Sequence, residues 1–125
     1  LDMLKAGLKV KGMAHLTGKG ILNLARIGPK CGYQIEWLPE PQPIFKLIQK
    51  VGGLPDREMY QVFNMGVGFC LVLPPEEVDE ALKIARRHGV KAWILGKAVR
   101  DPERKLILKP KGLVGLQGSL LSLNI

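Results

Sequence analysis

The run Gly66-Val67-Gly68-Phe69-Cys70-Leu71-Val72-Leu73, with Pro74-Pro75-Glu76-Glu77 directly after it, is the stretch whose reading decides the fold class. It is almost unbroken apolar sequence, too short for a buried helix and bounded by Asn64 and the proline pair. Those features predict a central strand. The residues that follow change period. Val78, Ala81, Leu82 and Ala85 recur at helical spacing, Glu76 and Glu77 face the positive end of the helix dipole, and Arg86, Arg87 and His88 precede Gly89 at the negative end. This predicts a helix over about 75–88, packed on the sheet through its apolar stripe.

Working outward, Tyr33 to Leu38 reads as a strand and Pro39-Glu40-Pro41-Gln42-Pro43 as an extended connector. Pro43 suits a first helical turn, Ile44, Phe45, Leu47, Ile48 and Val51 continue at helical spacing, and Gly52-Gly53 ends the segment. Asp56 is read as the cap of a short helix through Phe63. Lys91 to Val99 and Lys105 to Lys109 read as strands joined at Arg100-Asp101-Pro102-Glu103. Near the start, Leu8 to Ala14 is extended, His15 to Gly20 turns, and Thr17 caps a short helix stopped at Gly28-Pro29. The order of elements predicts an α/β (α+β) sandwich with one mixed sheet packed by helices. Residues 112–125 form an apolar tail punctuated by Gly112, Gly115 and Gly118, expected to pack on a surface outside this chain.

A length of 125 residues fits one domain. Its 46% hydrophobic and 24% charged content excludes a disordered or membrane composition. Nineteen Lys and Arg against eleven Asp and Glu leave a net charge of +8, which invites anionic partners. The basic residues are scattered, with no aromatic residues alternating among them as a base-stacking surface requires, so a phosphorylated small molecule is expected before nucleic acid. Cys31 and Cys70 share no metal-ligand spacing and make no disulfide framework, consistent with a reducing cytoplasm. No stretch has the length of an apolar membrane span, and no secretory signal opens the chain. A start at Leu1 suggests a fragment or a processed product.

Two glycine-bearing segments are the site candidates. In His15-Leu16-Thr17-Gly18-Lys19-Gly20, backbone N–H groups near a helix start meet an anion closely where glycine lacks a Cβ, and Lys19 adds a cation. The same sequence also suits a plain structural turn. In Phe63-Asn64-Met65-Gly66-Val67-Gly68-Phe69, Gly66 and Gly68 allow close approach of a ligand or of a packed helix, and Asn64 suits a ligand contact or a turn cap. His15 is placed to orient a substrate or donate a proton, or to be a hydrogen-bonded structural histidine. His88 is helix-end chemistry. Asp56 and Glu58, two apart on a helix, point away from each other and make no acidic pair. Trp37 and Trp93 are read as core or interface.

Together and in this order the segments resemble the aminoimidazole ribonucleotide synthetases, or phosphoribosylformylglycinamidine cyclo-ligases. The resemblance runs through Lys11-Gly12-Met13-Ala14-His15-Leu16-Thr17-Gly18, Pro43-Ile44-Phe45, Glu58-Met59-Tyr60, Phe63 to Gly68, Leu73-Pro74 and Ala92-Trp93-Ile94-Leu95-Gly96, covering roughly residues 8–100. It implies the C-terminal α/β domain of a homodimeric cytoplasmic enzyme of purine biosynthesis. That enzyme phosphorylates the formyl amide oxygen of formylglycinamidine ribonucleotide with Mg·ATP and closes the imidazole ring as phosphate leaves. His15 is the catalytic candidate by its own chemistry, and the resemblance places Thr17, Gly18, Lys19 and Gly20 at the substrate phosphate and Asn64, Gly66 and Gly68 in the cleft wall. ATP and magnesium are then held mainly by an N-terminal domain, the chain alone is expected to be inactive, and no metal ligand is assigned within it. Lys19 stands where the family usually has glycine, so it either clamps a phosphate or crowds the loop. The alternatives are a domain of formylglycinamidine ribonucleotide synthetase, selenophosphate synthetase or thiamine phosphate kinase, and a basic RNA-binding module.

Overall fold

Strands in two separate ladders enclose the core, and the computed structural model describes residues 2–16, 20–26, 30–116 and 119–122. After a short helix α1 (Asp2–Lys5), strand β1 (Gly12–His15) leads to a 3-10 helix (Gly20–Arg26) and strand β2 (Cys31–Ile35). Helices α2 (Pro43–Gly52) and α3 (Asp56–Val62) precede strand β3 (Phe69–Val72), a 3-10 turn (Pro75–Glu77) and helix α4 (Val78–Arg87). Strands β4 (Gly96–Arg100) and β5 (Leu106–Leu108), a 3-10 turn (Lys109–Lys111), and strands β6 (Leu113–Leu116) and β7 (Ser119–Ser122) follow.

The five-stranded sheet runs β4-β2-β5-β6-β7 and is mixed: β2 and β5 are parallel, and the other neighbours are antiparallel. A parallel pair needs a long crossover, here the entire chain between Glu36 and Lys105. Helices and a mixed sheet make the α+β class expected from the order of elements.

The apolar run 66–73 is not the centre of that sheet. It splits into a turn at Met65-Gly66 and the four-residue β3, which pairs only with β1 in a two-stranded ladder. Gly66 at φ +95° turns the chain and shortens the strand, while its place beside β1 is a matter of long-range pairing. The centre belongs to β2 and β5, where Leu106 and Leu108 are both 0% exposed. Lysines on both sides of β5 masked that position in the sequence.

The 3-10 helix Gly20–Arg26 touches β1, β2, β5 and α3, and its Ile21, Leu22 and Leu24 are buried. Asn23, also buried, donates from Nδ2 to the Gly20 carbonyl at 3.0 Å, so its amide is not left unpaired in the core. Helix α3 lies over β7, where the Leu120 N–H donates to Gln61 Oε1 at 3.1 Å. With these elements filling the core, α4 stands outside it. Of the expected stripe Ala81 and Ala85 are buried, Val78 and Leu82 are only half-buried, and Ile84 is buried in addition; the helix packs near α1 and its residues do not join the core cluster, so it does not cover the sheet as the stripe suggested.

Other boundaries moved for identifiable reasons. Gly53 adopts the left-handed conformation and the Leu54 N–H returns to the Gln49 carbonyl, closing α2 where the glycine pair predicted. Pro55, not Asp56, is the residue that caps α3. Asp56 is its first residue, and its Oδ1 accepts from Gln49 Nε2 at 2.9 Å. Residues 91–95 are irregular, because the Leu95 carbonyl accepts from both Glu36 and Trp37 and pairing with β2 starts only at Gly96. The tail expected to need an outside surface instead forms the β6–β7 hairpin, with Leu113 and Leu120 in the core. The proposed Thr17 cap and the Gly28-Pro29 stop lie outside the described residues.

Candidate functional site

The two glycine-bearing segments meet at Leu16. Strand β1 alternates, so Ala14 faces inward opposite Cys70 while Met13 and His15 face outward opposite Leu71 and Phe69. His15 is therefore exposed at the end of the strand, its ring 6.5 Å from that of Phe69. Leu16 turns inward and is buried. Its N–H donates to the Gly68 carbonyl at 2.9 Å, and its carbonyl accepts from Asn64 Nδ2 at 3.5 Å.

Residues 64–68 form a tight turn. Asn64 Oδ1 accepts from the Gly66 N–H at 2.9 Å and its backbone carbonyl accepts from the Val67 N–H at 3.1 Å. Met65 has φ 52°, a left-handed conformation that costs a non-glycine residue about 1–2 kcal/mol. Its side chain is buried, which offsets that cost. Asn64 thus behaves as the turn cap that its position suggested, and it also reaches the neighbouring motif.

Gly20, at the far end of the first motif, is buried with φ +55°. A Cβ there would press into the Tyr60 carbonyl oxygen and stand 2.5 Å from that of Phe63. The residues flanking 17–19 therefore both rest on one segment, Tyr60 to Gly68. Thr17, Gly18 and Lys19 lie outside the described residues.

Gly66 and Gly68 differ. Gly66 needs its positive φ, whereas a Cβ on Gly68 would meet nothing within 4 Å and its backbone needs no special conformation. Packing among the described residues does not require glycine at 68.

The chemistry nearby is sparse. Burial pushes the Cys70 thiol up to about 11, so it stays protonated at neutral pH and is no nucleophile. Burial, then the charges of Asp56 and Glu40, raise the Tyr60 hydroxyl, and the Lys111 ammonium lies 5.7 Å from its ring centre. Among the described residues no three His, Cys, Asp or Glu side chains gather as a metal site. The open hollows lined by Glu80, Lys83, Arg86 and Arg87, and by Leu82, Arg86 and Gly89 to Trp93, include no described residue of the two glycine-bearing segments. Trp37 and Trp93, 5.9 Å apart, are partly exposed. Among the described residues no helix is long and apolar enough to cross a membrane.

The family model for AIR synthase related protein, C-terminal domain, matches residues 2–109. The chain belongs to this family. Among similar proteins, the phosphoribosylformylglycinamidine cyclo-ligase of Methanocaldococcus jannaschii is 43% identical over 104 residues, covering 82% of this chain and 30% of that protein. That of Methanothermobacter thermautotrophicus is 50% identical over 92 residues, 72% of this chain and 27% of its own length. The Carboxydothermus hydrogenoformans protein of the same name is 42% identical over 112 residues, 86% of this chain and 32% of its own. The chain thus spans about a third of the curated relatives it matches, whose names are those of a ligase-type enzyme family.

Sequence reasoning singled out the two segments and did not show that they join. Leu16 looked like a plain core residue, and the carbonyls of Tyr60 and Phe63 carry no side-chain signal. The left-handed Met65 is equally silent, since methionine gives no hint of a positive φ.

Proposed function

We propose that this chain is the C-terminal domain of an ATP-dependent cyclo-ligase that converts formylglycinamidine ribonucleotide to aminoimidazole ribonucleotide in cytoplasmic purine biosynthesis. The observation that carries the reading is the joining, at Leu16, of the two motif segments within a chain of this family. The exposed glycine at 68, whose added Cβ would meet none of the described residues, supports this reading of the surface beside Leu16.

In this reading Thr17, Gly18, Lys19 and Gly20 take the substrate phosphate, while Asn64, Gly66 and Gly68 build the wall behind them. His15 orients the substrate or carries a proton. Magnesium-bound ATP, held by an N-terminal domain, supplies the phosphoryl group and the charge neutralisation its transfer needs. The amide oxygen leaves as phosphate when the amidine nitrogen closes the ring. The N-terminal domain is proposed to cover the outward face of the β1–β3 ladder, where Met13 and Phe69, each 56% exposed, flank His15. Dimerisation is assigned to that missing domain.

The test is turnover. The full natural gene product should convert formylglycinamidine ribonucleotide and ATP to aminoimidazole ribonucleotide, ADP and phosphate in equal amounts. Residues 1–125 alone should yield none. No turnover by the full product would refute the cyclo-ligase reading, and turnover by the chain alone would refute the division of labour.

A further inference from the structure

We propose that helix α2 docks the N-terminal domain of the same polypeptide: an apolar stripe along the helix, bordered by two lysines, takes an apolar ridge edged with carboxylates. The inference rests on the reading of this chain as one domain of a longer enzyme and not on the reaction. Ten residues form α2, and none of them is buried. Its apolar residues make an arc wider than this domain uses. Phe45 and Ile48 pack against the core. Ile44, Leu47 and Val51, spaced by three and four residues, lie together on a second face and are 55%, 56% and 79% exposed. Local structure accounts for none of the three. Pro43 opens the helix and Gly53 closes it, and β-branched Ile and Val form an exposed helical turn less readily than Ala, Glu or Lys. Single exposed apolar residues need no explanation, whereas a row of them on one face marks an interaction surface.

Charge and chain length choose the occupant. Lys46 and Lys50, one turn apart, are exposed at the border of the stripe. Lys46 pairs with Glu40, while Lys50 meets no carboxylate among the described residues, so the surface calls for acidic side chains on its partner. A second copy of this chain fits poorly. The chain carries +8, and stripe against stripe across a twofold axis would bring the lysines of both copies together. RNA would meet the lysines and leave three aliphatic side chains without a role. Most of the length of each matched relative, by contrast, lies outside this domain. The helix also starts in the right place. A Cβ on Gly66 would stand 3.1 Å from Gln42 Oε1, so α2 begins against the turn that leads into β3, whose outward face is already assigned to the N-terminal domain.

The full natural gene product tests this by two readouts, neither of which needs turnover. One variant carries Leu47→Cys and another Lys83→Cys, an exposed position on α4, and maleimide labelling of each is followed on its own peptide. Labelling at 47 should be about tenfold or more slower than at 83, the factor that a contact worth about 1.4 kcal/mol enforces. In the wild-type product a zero-length carbodiimide cross-link should join Lys50 to a carboxylate outside residues 1–125 of the same polypeptide. Labelling at 47 as fast as at 83 overturns the docking surface. Slow labelling with Lys50 joined to a second polypeptide, to a carboxylate within residues 1–125, or to nothing overturns the occupant. Should Leu47→Cys not fold, Ile44→Cys is judged by the same rate. If the product shows no turnover, the cyclo-ligase reading falls on its own, and labelling and cross-linking still decide whether α2 is covered and by what.

Discussion

The N–H of Leu16 donates to the carbonyl of Gly68 at 2.9 Å, 52 positions further along the chain, and through that bond the two glycine-bearing segments meet. Two glycines of these segments, Gly20 and Gly68, have opposite tolerances.

Gly20→Ala should destabilise the protein by about 3 kcal/mol or more, because it combines a left-handed backbone with a Cβ driven into two backbone carbonyls that cannot yield. Gly68→Ala, whose Cβ meets none of the described residues within 4 Å, should stay within about 0.5 kcal/mol of wild type or gain slightly from a stiffer unfolded chain. Urea unfolding of both variants decides this. Equal losses at the two positions would show that the surroundings of Gly20 relax in a way the geometry does not allow.

Cys70 makes stability depend on alkaline pH. Its thiol, near 9.0 when unperturbed, is pushed to about 11 by burial, so between those values the unfolded chain releases a proton that the folded chain keeps. Stability is therefore full below about pH 9 and falls as pH rises through the folded value. The raised hydroxyls of Tyr33 and Tyr60 add to the fall beyond pH 10. Cys70→Ala should flatten the slope of unfolding free energy between pH 9 and 11. An unaltered slope would assign the effect to the tyrosines alone.

Local chemistry was legible in the sequence and long-range pairing was not. The ends of α2 follow from Pro43 and Gly53, and the apolar stripe of α4 from spacing alone, because capping and periodicity act within a few residues. The α+β class followed from the order of those elements. Which strand is central depends on β2 meeting β5 across some seventy positions, and nothing in the apolar run at 66–73 encodes its lack of a second neighbour. The more apolar run became the small ladder, while Leu106-Ile107-Leu108, three residues among lysines, became the centre. At the candidate site the motif segments were legible and their junction was not, since it is made by backbone groups of Leu16 and Gly68.

The hairpin of β6 and β7 gives a further test. Leu120 is 1% exposed, its backbone is tied to Gln61, and Gly115 opposite it approaches Leu22 of the 3-10 helix. Leu120→Ala should cost about 2–5 kcal/mol, as large-to-small changes in cores do. Val51→Ala, on the solvent side of α2, should cost under about 0.5 kcal/mol. A Leu120→Ala variant as stable as wild type would mean that the last hairpin is not part of the folded core.

Anion binding by the 125-residue chain separates a built site from general basic charge. Net charge +8 attracts anions anywhere, and Arg86, Arg87 and Lys91 are exposed around the hollows at the end of α4. A phosphate drawn only by charge should therefore move resonances there. If the loop between Leu16 and Gly20 is the phosphate site, inorganic phosphate or a ribonucleotide monophosphate should instead perturb the amides of residues 15–21 first. Lys19→Ala should weaken that response by about threefold or more, the worth of one exposed charge, and raising the salt should weaken it less than it weakens binding at Arg86 to Lys91. Still amides at 15–21 with movement at Arg86 to Lys91 or Lys105 to Lys111 would remove the phosphate role from this loop. The junction between Leu16 and Gly68 would then serve the fold alone.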